Sequence, residues 1–114
     1  MERIPLRGQV SIEGANAHPH AARRLRESFP AIEWIESTTL DRPAVSLAVD
    51  ASLPEGAFAI DTTANGGIAR VDVAGGPFSG VIYGVEEVIQ RLARPLEEGF
   101  DLPAGRIEER PDLT

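Results

Sequence analysis

An α+β two-layer sandwich is the fold class this sequence predicts, with a mixed, mostly antiparallel sheet of four to five strands and two helices on one face. Several short segments alternate apolar and polar residues with a period of two, as a strand with one buried face does. Two other segments repeat apolar residues at i, i+3 and i+4, as an amphipathic helix does. The patterns follow one another as strand, helix, three or four strands, helix and tail, with no internal repeat.

Val10 and Ile12 alternate with Gln9, Ser11 and Glu13 and mark the opening strand. Gly14 to Asn16 turn the chain. Asn16 can accept from free helical N–H groups and is expected to cap a helix whose inner face carries Ala21, Ala22, Leu25 and Phe29. Pro30, which has no N–H to donate, ends that helix. Ile32, Trp34 and Glu36 alternate with Glu33 and Ile35 as a second strand, and a helix between two strands is the crossover that a parallel pair requires. Beyond the polar stretch 37–43, Val45, Leu47 and Val49 mark a third strand, which the segment Ser52 to Gly56 interrupts. Phe58, Ile60 and Thr62, a turn at Ala64 to Gly67, then Val71 and Val73 read as a hairpin, because Asn and Gly accept the positive φ of a tight turn. Gly75, Gly76 and Pro77 stop the sheet. From Ser79 on, Val81, Val85, Val88, Ile89, Leu92 and Leu96 form one helical stripe opposite Glu86, Glu87, Gln90, Arg91 and Arg94. Pro95, Gly99, Pro103, Gly105 and Pro111 then break any period, so residues 1–94 are expected to form the domain and 95–114 an extended tail or linker.

The 114 residues are enough for one domain and too few for two. With 42% hydrophobic and 25% charged residues the chain has the composition of a protein with a core. Eleven basic against 18 acidic residues leave a net charge of −7, so the cationic surface that nucleic acid or an anionic membrane would attract is missing. Arginine supplies every Lys/Arg-type cation, which excludes a lysine Schiff base. The absence of cysteine excludes disulfides, thiolate metal sites and thiol nucleophiles. No apolar run approaches the ~18 residues of a membrane span. Met1, Glu2 and Arg3 lead into Pro5 with no signal-peptide core, and location stays open.

Each candidate for chemistry has a plainer structural reading. His18 and His20 could bind zinc, but they flank Pro19 at a helix start and lack the four-residue spacing of a helical metal site, so they read as exposed helix-entry residues. Glu86 and Glu87, or Asp61 and Asp72, could supply the two carboxyl groups of glycoside hydrolysis. The first two lie on the polar face of a helix and the others on the outer sheet face, so all four read as surface charge. The glycines from Gly75 to Gly80 precede a helix and could hold an anion, but the Gly-Lys-Ser/Thr ending of a phosphate loop is missing and Pro77 removes a donor. Arg23, Arg24 and Arg26 read as a solvated face, and Trp34 as core. No catalytic, cofactor or metal residue emerges. The other sheet face would present Ala57, Ala59, Asp61, Ser46, Ala48 and Asp50, residues small enough to meet solvent or accept another domain.

The run from Glu55 to Leu92 resembles the small N-terminal domain that precedes the catalytic barrel in glycoside hydrolases of the family 20 (β-N-acetylhexosaminidase) and family 67 (α-glucuronidase) type. The likeness lies in Glu55-Gly56 with Phe58 and Ile60, in the turn and strand through Val73, and in Gly80-Val81-Ile82-Tyr83-Gly84-Val85, which is similar to the family's Gly-x-x-Tyr-Gly-x motif. Gly80 and Gly84 would let the helix approach the sheet, and Tyr83 has a polar end suited to a domain boundary. The opening strand and helix, Val10 to Phe29, look like the family's too. Ile107 to Thr114 resembles the linker that leads into the barrel. The resemblance implies an accessory, non-catalytic role with no cofactor. Its partner would be a downstream (β/α)8 catalytic domain in the same chain, because the family's catalytic acids and sugar-gripping arginine lie in that barrel. The reading from a different class is a free-standing α+β module that binds a ligand or pairs weakly with a second copy through the small-residue sheet face.

Overall fold

The computed structural model describes residues 2–37 and 41–110. In chain order the elements are β1 (Arg3–Arg7), β2 (Gln9–Glu13), α1 (Pro19–Ser28), β3 (Glu33–Ile35), β4 (Ala44–Val49), β5 (Phe58–Asn65), β6 (Ile68–Gly75), α2 (Gly80–Glu87), β7 (Arg94–Leu96), β8 (Gly99–Pro103) and β9 (Gly105–Glu109). A π-helical turn, Val88–Leu92, extends α2, and the Ala93 N–H closes it on the Val88 carbonyl at 2.8 Å.

Period-two alternation buries one face of each central strand. Val10 and Ile12 of β2, Val45 and Leu47 of β4, Ile60 of β5, and Val71 and Val73 of β6 are all buried. Cross-strand register brings them together: Ile12 faces Val45, Val45 faces Val71, and Leu47 and Ile60 both face Val73. These strands form a six-stranded sheet in the order β3-β2-β4-β6-β5-β9. Its pairings are parallel from β3 through β6 and antiparallel for β5 with β6 and with β9. The parallel β2–β3 pair is the one the intervening helix predicts. The hairpin also stands: Asn65 pairs with Ile68, and Gly66 and Gly67, at φ 60° and 82°, fill the two-residue turn.

Both helices lay their apolar stripes on this core, Ala21, Ala22 and Leu25 from α1 and Val81, Val85 and Val88 from α2 and its extension. The cap of α1 is His18 instead of Asn16, because Pro19, whose fixed φ suits a first helical position, starts the helix later. Leu96 departs from the stripe of α2. The π turn reverses the chain after Leu92, and Leu96 ends up in β7.

The sheets are larger than the four to five strands expected, and the segment from residue 95 onward is the reason. Far from being an aperiodic tail, it supplies β8 and β9 and most of β7. The strands β1, β8 and β7 make a second, antiparallel sheet of three, and β9 closes one edge of the large sheet. Ile4 faces Leu102 and Leu6 faces Phe100 across β1 and β8, and all four belong to the same core as the helices. The boundary at residue 94 is therefore corrected: the domain runs at least to Glu109. Residues 111–114 of the expected linker lie outside the described residues.

The outer face of the large sheet is not bare. Loop 50–57 folds back so that Leu53 covers Ala57 and Ala59, both essentially buried, with Ala74 packed beside them. Arginine–carboxylate networks fill the neighbouring rows. Arg70 reaches Glu13 at 3.1 Å and Asp72 at 3.0 Å, and Arg106 reaches Asp61 and Glu108. Ala48 remains exposed, while Ser46 and Asp50 are half-buried.

Candidate interdomain surface

The glycine-rich stretch 75–84 decides how α2 meets the sheet. A Cβ at Gly80 would lie 2.5 Å from the Ala57 carbonyl oxygen and 2.8 Å from the Gly75 carbonyl carbon, and one at Gly84 would lie 2.7 Å from Val73 Cγ1. A side chain at Gly80 would meet backbone and push the helix off its own sheet, and one at Gly84 would crowd the Val73 side chain. Tyr83, between them in sequence, projects the other way and is 52% exposed. The motif Gly80, Tyr83 and Gly84 therefore divides: the glycines seat the helix against its own sheet, and the tyrosine stays half-exposed. Tyr83 borders a hollow of about 180 Å³ with Gly56, Phe58, Glu109 and Arg110. A second hollow, about 240 Å³, opens between the N-termini of α1 and α2 and is lined by His18, His20, Phe78 and Ile82 among others.

The other sequence candidates are placed as structural groups. His18 sits at the helix cap without a side-chain capping bond, and His20 Nδ1 is 2.9 Å from an Arg23 guanidinium nitrogen. Among the described residues no group of three potential metal ligands comes together. Arg23, Arg24 and Arg26 point to three different carboxylates, Glu27, Glu86 and Glu36, so they make no continuous cationic patch. Asp61 and Asp72 do face each other across β5 and β6, yet each is held by its own arginine, Arg106 or Arg70. Glu87 pairs with Arg91 one turn away. At the start of α2 the Gly76 N–H donates to the Ala57 carbonyl at 2.8 Å, which, with Pro77, removes two donors from any anion cradle. Trp34 is half-buried and donates from Nε1 to the Phe29 carbonyl at 3.2 Å.

Four carboxylates, Asp50, Glu86, Asp101 and Glu108, have lowered pKa values. A general acid working near neutral pH needs a carboxyl whose pKa is raised. Arg24 binds Glu86 through two hydrogen bonds, of 2.6 and 2.9 Å, and these hold the Glu86 carboxyl below its usual value. At Asp101 partial burial opposes ionisation, but hydrogen bonds from Arg3 and Arg94 outweigh it and the pKa is again lowered. Arg110 does the same for Glu108, and the Ser52 hydroxyl and N–H for Asp50. The arginine pairings escaped the sequence reading because Arg24 and Arg3 are distant in sequence from Glu86 and Asp101, and Glu108 and Arg110 belong to the expected tail.

No protein-family profile matches this chain, and no curated protein does. Solved structures do. The β-N-acetylhexosaminidase from Bacteroides fragilis NCTC 9343 matches over 95% of this chain and 21% of its own, at 22% identity and a TM-score of 0.72. A glycoside hydrolase family 20 β-N-acetylglucosaminidase matches over 96% of this chain and 20% of its own, at 22% identity and a TM-score of 0.61. The chain shares its fold with these portions and spans about a fifth of the length of the solved chains it matches.

Proposed function

We propose that the chain is the non-catalytic N-terminal accessory domain of a glycosidase of the hexosaminidase type, and that it buttresses a (β/α)8 catalytic barrel in the same polypeptide. The observation that carries this reading is a fold match covering nearly all of this chain but only about a fifth of two hexosaminidase-type enzymes. That proportion fits a domain which contributes to a larger enzyme. Support for a non-catalytic role comes from the carboxylates: Asp61, Asp72, Glu86 and Asp101 each hold a cross-strand, cross-helix or neighbouring arginine, an arrangement that braces elements. The motif Gly80, Tyr83 and Gly84 serves the proposed role in two parts, by seating α2 and by offering Tyr83 to the neighbouring domain. The competing reading, a free-standing module pairing through a bare sheet face, loses its main support because Leu53 and the arginine networks occupy that face.

The test compares the 114-residue chain with the full polypeptide that its source gene encodes, assayed on an aryl β-N-acetylglucosaminide. Hydrolysis by the longer polypeptide and none by this chain is the expected result. Turnover by the 114-residue chain alone at a comparable rate would overturn the proposal, as would a natural gene product of about 12 kDa.

A further inference from the structure

We propose that one end of the large sheet, marked by Val49, Phe78 and Tyr83, is the surface on which the catalytic domain docks, and that the Phe78 ring is its anchor. The inference rests on the accessory-domain reading and adds to it the place and the residue of contact. Cross-strand register defines the end: Val49 faces Gly75, Gly75 faces Phe58, and Phe58 faces Glu109. Immediately above Gly75 the helix α2 begins. Among the described residues the large hydrophobic side chains left exposed are Val49 at 53%, Phe78 at 86% and Tyr83 at 52%. All three fall at this end, whereas scattered exposed residues would be distributed over the surface.

Phe78 adds a second and independent signal. Its φ is +69°, and among the described residues it is the non-glycine residue with a positive value. A bulky side chain in that region is strained, and glycine would occupy it without cost. Among the described residues no packing of the ring compensates for the strain, since the ring is almost wholly in solvent. A contact outside the chain gives the strained presentation of an aromatic ring a physical purpose.

The occupant follows from the tether and the shape. Strand β9 runs toward this same end, and Arg110 borders the same hollow as Tyr83. A domain that follows in the polypeptide is therefore anchored within reach of these side chains. The hollows beside Phe78 and Tyr83, about 240 and 180 Å³, are open and smaller than the ~300 Å³ at which small-molecule pockets begin. Projecting aromatic side chains between shallow hollows suit a packed protein surface better than an enclosed ligand.

Amide hydrogen exchange, compared between the 114-residue chain and the longer polypeptide, tests the proposal. Segments 49–58 and 76–83 are expected to exchange at least tenfold more slowly in the longer polypeptide. The Phe78→Gly variant should leave the melting temperature of the 114-residue chain unchanged or higher, yet abolish that protection in the longer polypeptide. Protection confined to other segments would overturn the docking surface while leaving the accessory-domain reading intact. A gene product with no further domain would overturn both. Protection unchanged by Phe78→Gly would overturn the anchor. A dimer of the 114-residue chain that this substitution dissociates would make the occupant a second copy and overturn the assignment to the catalytic domain.

Discussion

The Phe100 ring stacks on Phe29 with centroids 4.0 Å apart and planes inclined by 19°. Phe29 closes α1, and Phe100 comes from β8, so one ring pair joins the front of the chain to its last part. Trp34 lies beyond it, 6.4 Å from Phe100. Phe100 is completely buried and heads the fully buried side chains by size. Replacing it with alanine should cost about 3–5 kcal/mol, as large-to-small changes at buried aromatic sites do. Urea unfolding followed through the single tryptophan will read this directly. A loss under about 1 kcal/mol would mean that the small sheet is not part of the cooperative core.

Ending the chain after Ala93 should be worse than any substitution. It removes β7, β8 and β9, and with them two partners of β1 and β5 and the side chains of Phe100 and Leu102. The truncated chain is expected to lack a cooperative thermal transition by calorimetry. A sharp transition near that of the whole chain would restore an independent domain without β7, β8 and β9.

The arginine pairs, with Ser52 at Asp50, set the response to acid. Glu86, Asp101, Glu108 and Asp50 all have folded-state pKa values below their ordinary ones. A lowered carboxyl pKa contributes stability that is fully present above the unfolded value of about 4 and is lost as pH falls through the folded value. Urea midpoints should therefore be flat from pH 7 to about 5 and decline below about 4. Glu86→Gln should lower the neutral plateau and make the decline shallower, because the group that takes up the proton is gone. An unaltered acid limb in that variant would show that the Arg24 contact is not maintained in solution.

The sheet and both helices could be read from the residues because period two and period 3.6 persist over whole elements, and the Gly66-Gly67 turn is unmistakable in its chemistry. What could not be read is instructive in its causes. Strand β8 offers two apolar residues, Phe100 and Leu102, between Gly99 and Pro103, too short a run to show a period. Gly99 looks like a breaker, but its hydrogen is all that fits against the Leu6 carbonyl, so it marks close strand approach. Pro95 likewise looks like a stop and is accommodated in β7, an edge strand. Strand β1 escaped because Ile4 and Leu6 straddle Pro5, which faces Asp101. At the candidate surface Tyr83 was legible through its motif. Phe78 was not, because positive φ at a phenylalanine leaves no trace in composition or spacing.

Asp61 and Asp72 provide the cleanest test of a carboxylate site against structural pairing. Asp61→Asn and Asp72→Asn, made in the longer polypeptide, should leave hydrolysis of the aryl glycoside at the wild-type rate. Their pairs are half-exposed, and such pairs contribute little to stability, so melting temperatures should barely move. A hundredfold fall in kcat for either, with the fold intact, would place chemistry on this chain.

The two motif glycines should respond unequally to alanine, although both stand in the same helix. At Gly84 the added methyl meets Val73 Cγ1 and lies 3.3 Å from Phe58 Cβ, side-chain atoms that can yield. Alanine also favours the helix over glycine by about 1 kcal/mol, which offsets much of the crowding. At Gly80 the methyl meets backbone, the Ala57 carbonyl oxygen, which already accepts from Gly76 N–H, and the carbonyl carbon of Gly75, whose strand is paired on both sides and cannot move alone. Overpacking of that kind costs ~1–3 kcal/mol or more, and at a first helical position the propensity gain is small. Gly80→Ala should thus be the more destabilising by at least ~1 kcal/mol in urea titrations. Equal losses at the two positions would mean that α2 can lift from the sheet as a unit. The approach of helix to sheet would then be looser than the glycines require.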